Sequence, residues 1–348
     1  MSNTAKGRVC VTGASGFIGY YVVRELLERG YHVVATVRDA SNEAKTAHLH
    51  KMHQSIGGEM SLVSADLEVD GAFDEAIAGC DFVCHVASSV RLRADDPQKE
   101  IVDVALNGTK NVLESVAKAG TVRRLVVTSS IAAVADENRP KGHEYTEADW
   151  NESANLKESP YPLSKTLAEK AAWDFIEALP EDQRFEMTTI QPSLVLGPIT
   201  AEVHLRTSPS VIHNLMDRSF PACPDLYFNV VDVRDVARAH VNALEVNNPS
   251  RRYICSYQEK SMRELAVALK ECFPQRPIPT GHLPAWLMYI FAIFDKRLSW
   301  SYLRKSLGRK RLFSNRLIRE ELDIDFADLT TTLRDTGQAM IDLNTLKK

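Results

Sequence analysis

The stretch VCVTGASGFIGYYVVRELLERGYHVVATVRD, residues 9–39, constrains the fold of this chain more than any other. An apolar run at 9–11 leads into Gly13, Gly16 and Gly19, spaced GxxGxxG; an amphipathic stretch starts near Phe17, and a second apolar run ends at Val37. A strand that enters a helix through so tight a turn presents helix N-terminal N–H groups, and the positive end of the helix dipole, to an approaching anion. Glycine spacing alone is a weak signal. Here a strand precedes it and another strand follows the helix, which is the context of a dinucleotide pyrophosphate site. Gly13, Ser15, Gly16, Phe17 and Ile18 are therefore candidate cofactor contacts.

Turns of this kind that take NAD carry an acid about 20 residues on, where it holds the ribose hydroxyls. This chain has Thr36, Val37 and Arg38 there. A guanidinium favours a 2′-phosphate through charge-assisted, bidentate hydrogen bonds, which points to NADP(H), and Lys45 shortly afterwards offers a second cation. The competing reading pairs Arg38 with Asp39 as an exposed ion pair.

Further along, RVCVT, HVVATV, MSLVSA, DFVCHVA, RLVVTSS and MTTIQP alternate with helical patterns. Short runs apolar on both faces and separated by helices require a parallel sheet covered on both sides. The expected fold is α/β, a doubly wound parallel sheet (Rossmann) with a smaller, mainly helical C-terminal substrate lobe. A chain of 348 residues, 44% apolar and 25% charged, has room for both. Beyond about residue 193 the alternation weakens and prolines collect at 198, 209, 221 and 224. The expected cofactor domain is 5–191 plus about 228–257, with VVDVRDVARAHVNALE and RRYICS returning to the sheet; 192–227 and 258–345 form the lobe.

A net charge of −4 argues against a nucleic-acid binder that relies on bulk charge. Cys10, Cys80, Cys84, Cys223, Cys255 and Cys272 lie mostly in apolar runs and read as reduced thiols of a cytoplasmic protein. The apolar stretch at 9–11 is too short for a secretory leader. His85 has no second ligand at metal-binding spacing, so no metal is expected. The apolar run at 284–294 is too short to span a bilayer; with the basic run at 303–311 it either closes the lobe or touches a membrane surface.

After RLVVT come Ser129 and Ser130, and some 30 residues later Tyr161 and Lys165 in a YxxxK spacing. Residues four apart share a helix face, which brings the ammonium near the phenol. Lowering a phenol pKa from ~10 to ~7 needs roughly 4 kcal/mol. One positive charge at about 4 Å, at an effective dielectric near 20, supplies about that much.

In chain order TGASGFIG (12–19), TVRD (36–39), SADL (64–67), HVAS (85–88), VTSS (127–130), YPLSKTLAEKAAW (161–173), QPSLVLGP (191–198) and RYICS (252–256) resemble the extended short-chain dehydrogenase/reductases. Within that family they are similar to the branch of dihydroflavonol and cinnamoyl-CoA reductases, and the resemblance runs over nearly the whole chain. It implies that Tyr161 is the general acid and that Lys165 lowers its pKa and binds the nicotinamide ribose. Ser130, which directly precedes IAAV, would hydrogen-bond the carbonyl oxygen. It also implies adenine contacts from Asp66 and Leu67, cofactor contacts from Val86, Ala87 and Ser88, contacts near the nicotinamide amide from Pro192 and Val195, and a later contact from Ser210.

The departures are informative. Ala105 stands where epimerases and dehydratases of the family carry Asn, and Asn107 is two places out of register. Ala135 stands where plant dihydroflavonol reductases often have an Asn that holds the flavonoid B-ring, and PYPLSK replaces the WYCYxK typical of cinnamoyl-CoA reductases. The expectation is NADPH-dependent reduction of a hydrophobic, aromatic ketone or aldehyde by a monomer or homodimer, in an apolar pocket closed near Trp286 and Phe291. A hydroxysteroid dehydrogenase or sugar-nucleotide epimerase on the same scaffold is the alternative. A non-catalytic NADP(H) sensor is another, though it has no need of Ser130, Tyr161 and Lys165 together.

Overall fold

Runs apolar on both faces are stable only between two layers of helix. Here they form one seven-stranded parallel sheet from β1 (Arg8–Thr12), β2 (His32–Val37), β3 (Met60–Ser64), β4 (Phe82–His85), β5 (Arg124–Thr128), β7 (Glu186–Pro192) and β11 (Arg252–Cys255). The computed structural model describes residues 6–88, 94–247, 250–294, 303–304 and 306–347. In space the strands run β11-β7-β5-β4-β1-β2-β3. Because side chains alternate along a strand, Val9, Val11, Val33 and Ala35 face one layer, and Cys10, Val34, Val83 and Leu125 the other. Helices α1 (Phe17–Glu28) and α7 (Val233–Glu245) pack together on the first face. On the second lie α4 (Val104–Ala119) and α5 (Pro160–Ala178).

The strand order reverses direction between β1 and β4, which pair in parallel with Thr12 beside His85. Connections leaving the two strands diverge there, so a crevice opens at their carboxyl ends, the usual ligand position in such sheets. The glycine turn, residues 86–88 and Ser129 and Ser130 all leave strands at that edge. Helix α2 (Glu43–Ile56) follows β2, and the short α3 (Asp74–Ile77) follows β3.

The lobe adds a three-stranded sheet of β8 (Leu194–Leu196), β10 (Tyr227–Asp232) and β12 (Gln258–Ser261). Two small pairs join β9 (Cys223–Pro224) to β13 (His282–Leu283), and β6 (Glu144–Tyr145) to β14 (Leu312–Phe313). Its helices are α6 (Ser210–Met216), α8 (Met262–Cys272), α9 (Ala285–Phe294) and the segments Arg316–Leu322 and Leu329–Asp342. Ile212, Leu215, Leu265, Leu333 and Met340 join the same continuous core as Val11 and Leu26, so the lobe packs directly onto the α1 and α7 face.

Only part of the 228–257 run returns to the main sheet. β11 forms its edge beside β7, whereas Tyr227–Asp232 pairs with β8 and β12 in the second sheet. Pro192 ends β7 and lacks a ladder N–H, and with the next N–H, Ser193's, bonded to the Cys255 carbonyl, the chain peels away to start that sheet.

Trp286 is 64% exposed, so it does not close an apolar pocket; α9 instead packs through Leu287 and Met288 against Leu303 and Leu307. The side chain of Phe291, residue 5 and residues 295–302 lie outside what is described. Among the described residues no helix is long and apolar enough to cross a membrane, and none of their His, Cys, Asp or Glu cluster as a metal site.

Candidate active site

Gly13 sits at φ +69°, a conformation L side chains disfavour, and a Cβ there would come within 2.9 Å of the Ala87 backbone nitrogen. At Gly19 a Cβ would meet the Gly13 carbonyl oxygen at 2.2 Å. The glycines thus allow the turn to press against both α1 and the exit of β4. Gly16 is the N-cap of α1 and offers no side-chain cap, and the first turn has no acid. Free N–H groups and the helix dipole are left at the crevice.

Three groups that the linear sequence does not mark out complete this end. Thr12 Oγ1 receives the N–H groups of Val86 and Ala87, each at 3.0 Å, and lies 2.8 Å from His85 Nδ1. A hydroxyl accepting twice must donate its own proton, so Nδ1 accepts and Nε2 carries the imidazole hydrogen. Burial pushes His85 down to about 3, which keeps it neutral. His48 and His204 both reach the Ser15 carbonyl oxygen, at 3.2 and 3.3 Å. The third group, Glu169, is taken up below.

Arg38 and Lys45 are exposed just past β2 and in the first turn of α2. The alternative pairing of Arg38 with Asp39 does not form. Asp39 accepts the Ser41 hydroxyl at 2.6 Å and its N–H at 3.0 Å, which with the Lys45 charge hold the carboxyl below its usual range. Among the described residues no carboxylate pairs with Arg38.

At the far side of the crevice Pro160 occupies the first turn of α5, where its missing N–H costs nothing, and Tyr161 and Lys165 follow one turn apart. The two serines after β5 diverge. Ser129 turns inward and donates to Glu169, whereas Ser130 caps a short 3-10 turn, accepting the Ala132 N–H at 3.1 Å, and hydrogen-bonds Tyr161. The expected lowering of the Tyr161 pKa by Lys165 is not met. The ammonium lies 5.9 Å from the ring centroid and donates instead to Ser88 Oγ at 2.9 Å. Burial raises the phenol above its usual value, with the Ser130 hydrogen bond opposing. Burial also brings Lys165 down to about 8, partly offset by Glu169.

Other expected contacts fall around the same crevice. Asp66 and Leu67 follow β3; Asp66 accepts the Glu68 N–H at 3.1 Å, and Leu67 packs on Gly108 of α4. Val195 is buried in β8, and Ser193, between Pro192 and β8, has a buried hydroxyl oxygen with no partner among the described residues. Ser210 begins α6, its N–H bonded to the Thr207 carbonyl, and no described contact joins it to the turn or to Tyr161. Ala105 is buried beside the small cavity under Lys165, while Asn107 is exposed. Ala135 packs with Val134, Tyr145 and Ile254 in a satellite core. The uncapped α1 N-terminus, with Arg38 and the Ser193 hydroxyl unpartnered among the described residues, fits a dinucleotide bearing an extra phosphate.

The chain matches the NAD dependent epimerase/dehydratase family over residues 9–255. It is 40% identical over 287 residues to a cinnamoyl-CoA reductase of Medicago truncatula, covering 80% of this chain and 85% of that one. To a bifunctional dihydroflavonol 4-reductase/flavanone 4-reductase of Malus domestica it is 37% identical over 284 residues, 78% of each chain. Among solved structures, Gre2 of Candida albicans in complex with NADPH superposes with a TM-score of 0.79 at 28% identity, over 96% of this chain and 98% of that one.

Proposed function

The chain belongs to the NAD dependent epimerase/dehydratase family, the extended short-chain dehydrogenase/reductases, and on that premise we propose that it is an NADPH-dependent reductase of hydrophobic, aromatic ketones or aldehydes. The observation that carries this reading is the convergence of Ser130, Tyr161 and Lys165 beside an uncapped helix N-terminus. When bound, NADPH supplies the hydride. The backbone of Gly13, Ser15, Gly16, Phe17 and Ile18 takes the pyrophosphate, and Arg38 with Lys45 takes the 2′-phosphate. Asp66 and Leu67 hold the adenine end, with Val86, Ala87, Ser88, Pro192 and Val195 toward the nicotinamide.

In this reading the Tyr161 phenol donates its proton to the carbonyl oxygen, and the Ser130 hydroxyl steadies the charge developing there. Burial that raises the phenol keeps the proton in place at neutral pH, as a donor requires. Lys165, at about 8, is charged at pH 7 and holds Ser88 and the cofactor ribose in register with Tyr161. Residues 5–191 plus about 228–257 carry the cofactor, and 192–227 and 258–345 carry the substrate. The cysteines described are all free thiols, five of them buried, which supports a reducing, cytoplasmic compartment.

The test is NADPH oxidation, followed at its absorbance maximum, across a panel of aromatic and aliphatic carbonyls with UDP-sugars alongside. Consumption with the aromatic members is expected. Sugar epimerisation with no carbonyl reduction would overturn the reading.

A further inference from the structure

We propose that Glu169 is a positioning residue for Lys165: buried one helical turn beyond it on the same face of α5, it supplies that ammonium's counter-charge while gripping Ser129, Thr189, Gln191 and Arg252. The inference rests on the reading of Lys165 given above. Its side chain is 1% exposed. Four donors from three other elements converge on it: Ser129 Oγ after β5, Thr189 Oγ1 at 2.9 Å and Gln191 Nε2 at 2.8 Å from β7, and Arg252 Nε at 2.8 Å from β11. An ionised carboxylate is acceptor-only with about four lone-pair sites, so it satisfies such a set, whereas an amide would turn its NH₂ against donors.

The same network reaches the reacting groups by two routes. Ser129 precedes Ser130 in the chain. Arg252 stacks on Trp150 at 3.6 Å and donates to the Glu147 and Asp149 carbonyls, and the neighbouring Asn151 bonds the Ala132 and Ala133 carbonyls of the Ser130 turn. Arg252 is ion-paired with this buried carboxylate, and buried Lys165, one turn away on α5, feels the same charge without touching it. Among the described residues the other titratable groups near them are Lys170, which lies 5.3 Å from the Trp150 ring on which Arg252 stacks, and four more. His85 on β4 is neutral, and Tyr161 lies on α5 itself. The Glu147 carboxylate accepts the Ile254 N–H at 3.2 Å, and that of Asp149 is taken by Arg139 and His143.

Sharing gives opposite signs to the two removals. Glu169→Gln takes away the anion and lowers the pH at which Lys165 loses its proton; Arg252→Gln leaves the anion to Lys165 alone and raises it. The readouts are the Lys165 ¹³Cε chemical shift against pH, assigned through Lys165→Met, and the alkaline limb of kcat with NADPH and an aromatic aldehyde. Shifts of about one pH unit in opposite directions are expected, in both readouts. Both variants lose stability, so stability alone cannot produce the opposite signs. If Glu169→Gln does not fold, Glu169→Gln with Arg252→Gln, which removes the guanidinium together with its carboxylate partner, is compared with Arg252→Gln and is expected to titrate lower. A Lys165 midpoint that stays fixed, or moves the same way in both variants, overturns the proposal. A midpoint that moves as expected while the kinetic limb stays fixed supports the Glu169 assignment and overturns that of Lys165 in the reaction.

Discussion

Nε2 of His204 lies 3.3 Å from the carbonyl oxygen of Ser15, 189 residues away in the chain, and ties the lobe directly to the glycine turn. His204 Nδ1 accepts the Thr200 N–H at 3.3 Å, so Nε2 carries the proton and donates. Burial brings His204 down to about 4, so it stays neutral in this role. Since His48 donates to the same oxygen, His204→Ala loosens the turn without freeing it. The expected loss is about 0.5–1.5 kcal/mol in NADPH binding, up to roughly tenfold in Kd by fluorescence titration. An unchanged Kd would show that the lobe does not brace the turn.

Arg38 has no carboxylate partner among the described residues, and Asp39 is committed to Ser41. Arg38→Ala therefore removes a cation available to the 2′-phosphate and little else. NADPH binding is expected to weaken by about 1.5–3 kcal/mol, the scale of a hydrogen bond to a charged group, with NADH binding nearly unchanged. Calorimetric titration with both cofactors checks this, and an equal loss for the two would reduce Arg38 to a structural part.

His240 of α7 is fully buried: its Nδ1 donates to the Val236 carbonyl at 2.7 Å and its Nε2 accepts from Thr128 at 2.7 Å. Burial lowers it to about 4 in the fold, against ~6.5 when unfolded. Below pH 6.5 the unfolded chain binds the extra proton first, so this group's stabilisation is whole above 6.5 and is lost progressively as pH falls toward 4. Asp235, raised by burial to about 6, acts in the opposite sense over that window, so the comparison of variants carries the test. Urea midpoints at pH 7 and pH 5 should differ less in His240→Gln than in the unsubstituted chain; equal differences would contradict the assignment.

What the linear sequence made legible follows a physical pattern. β1 to β5 and β7 were readable because each is a short apolar run between helical patterns, and the glycine turn because its spacing sits in a strand-helix-strand context. Tyr161, Lys165 and Glu169 recur at four-residue intervals, so the shared face was visible. The role of Glu169 was not, because its partners are scattered at 129, 189, 191 and 252 and a lone Glu on a helix reads as solvated. Thr12, His48 and His204 were hidden for the same reason. The direction taken by the Lys165 ammonium depends on Ser88, an element away, and no helical spacing reports it. The exposure of Trp286 likewise follows from how α9 packs on Leu303, which apolar composition alone does not fix.

The central claim is that Tyr161 delivers the proton during carbonyl reduction. Tyr161→Phe keeps the ring and removes only the phenolic hydroxyl. With NADPH and the best aromatic carbonyl of the panel, steady-state kcat is expected to fall by about 10²-fold or more, with NADPH Kd within about twofold of its original value. Turnover by Tyr161→Phe close to that of the unsubstituted chain would contradict the account.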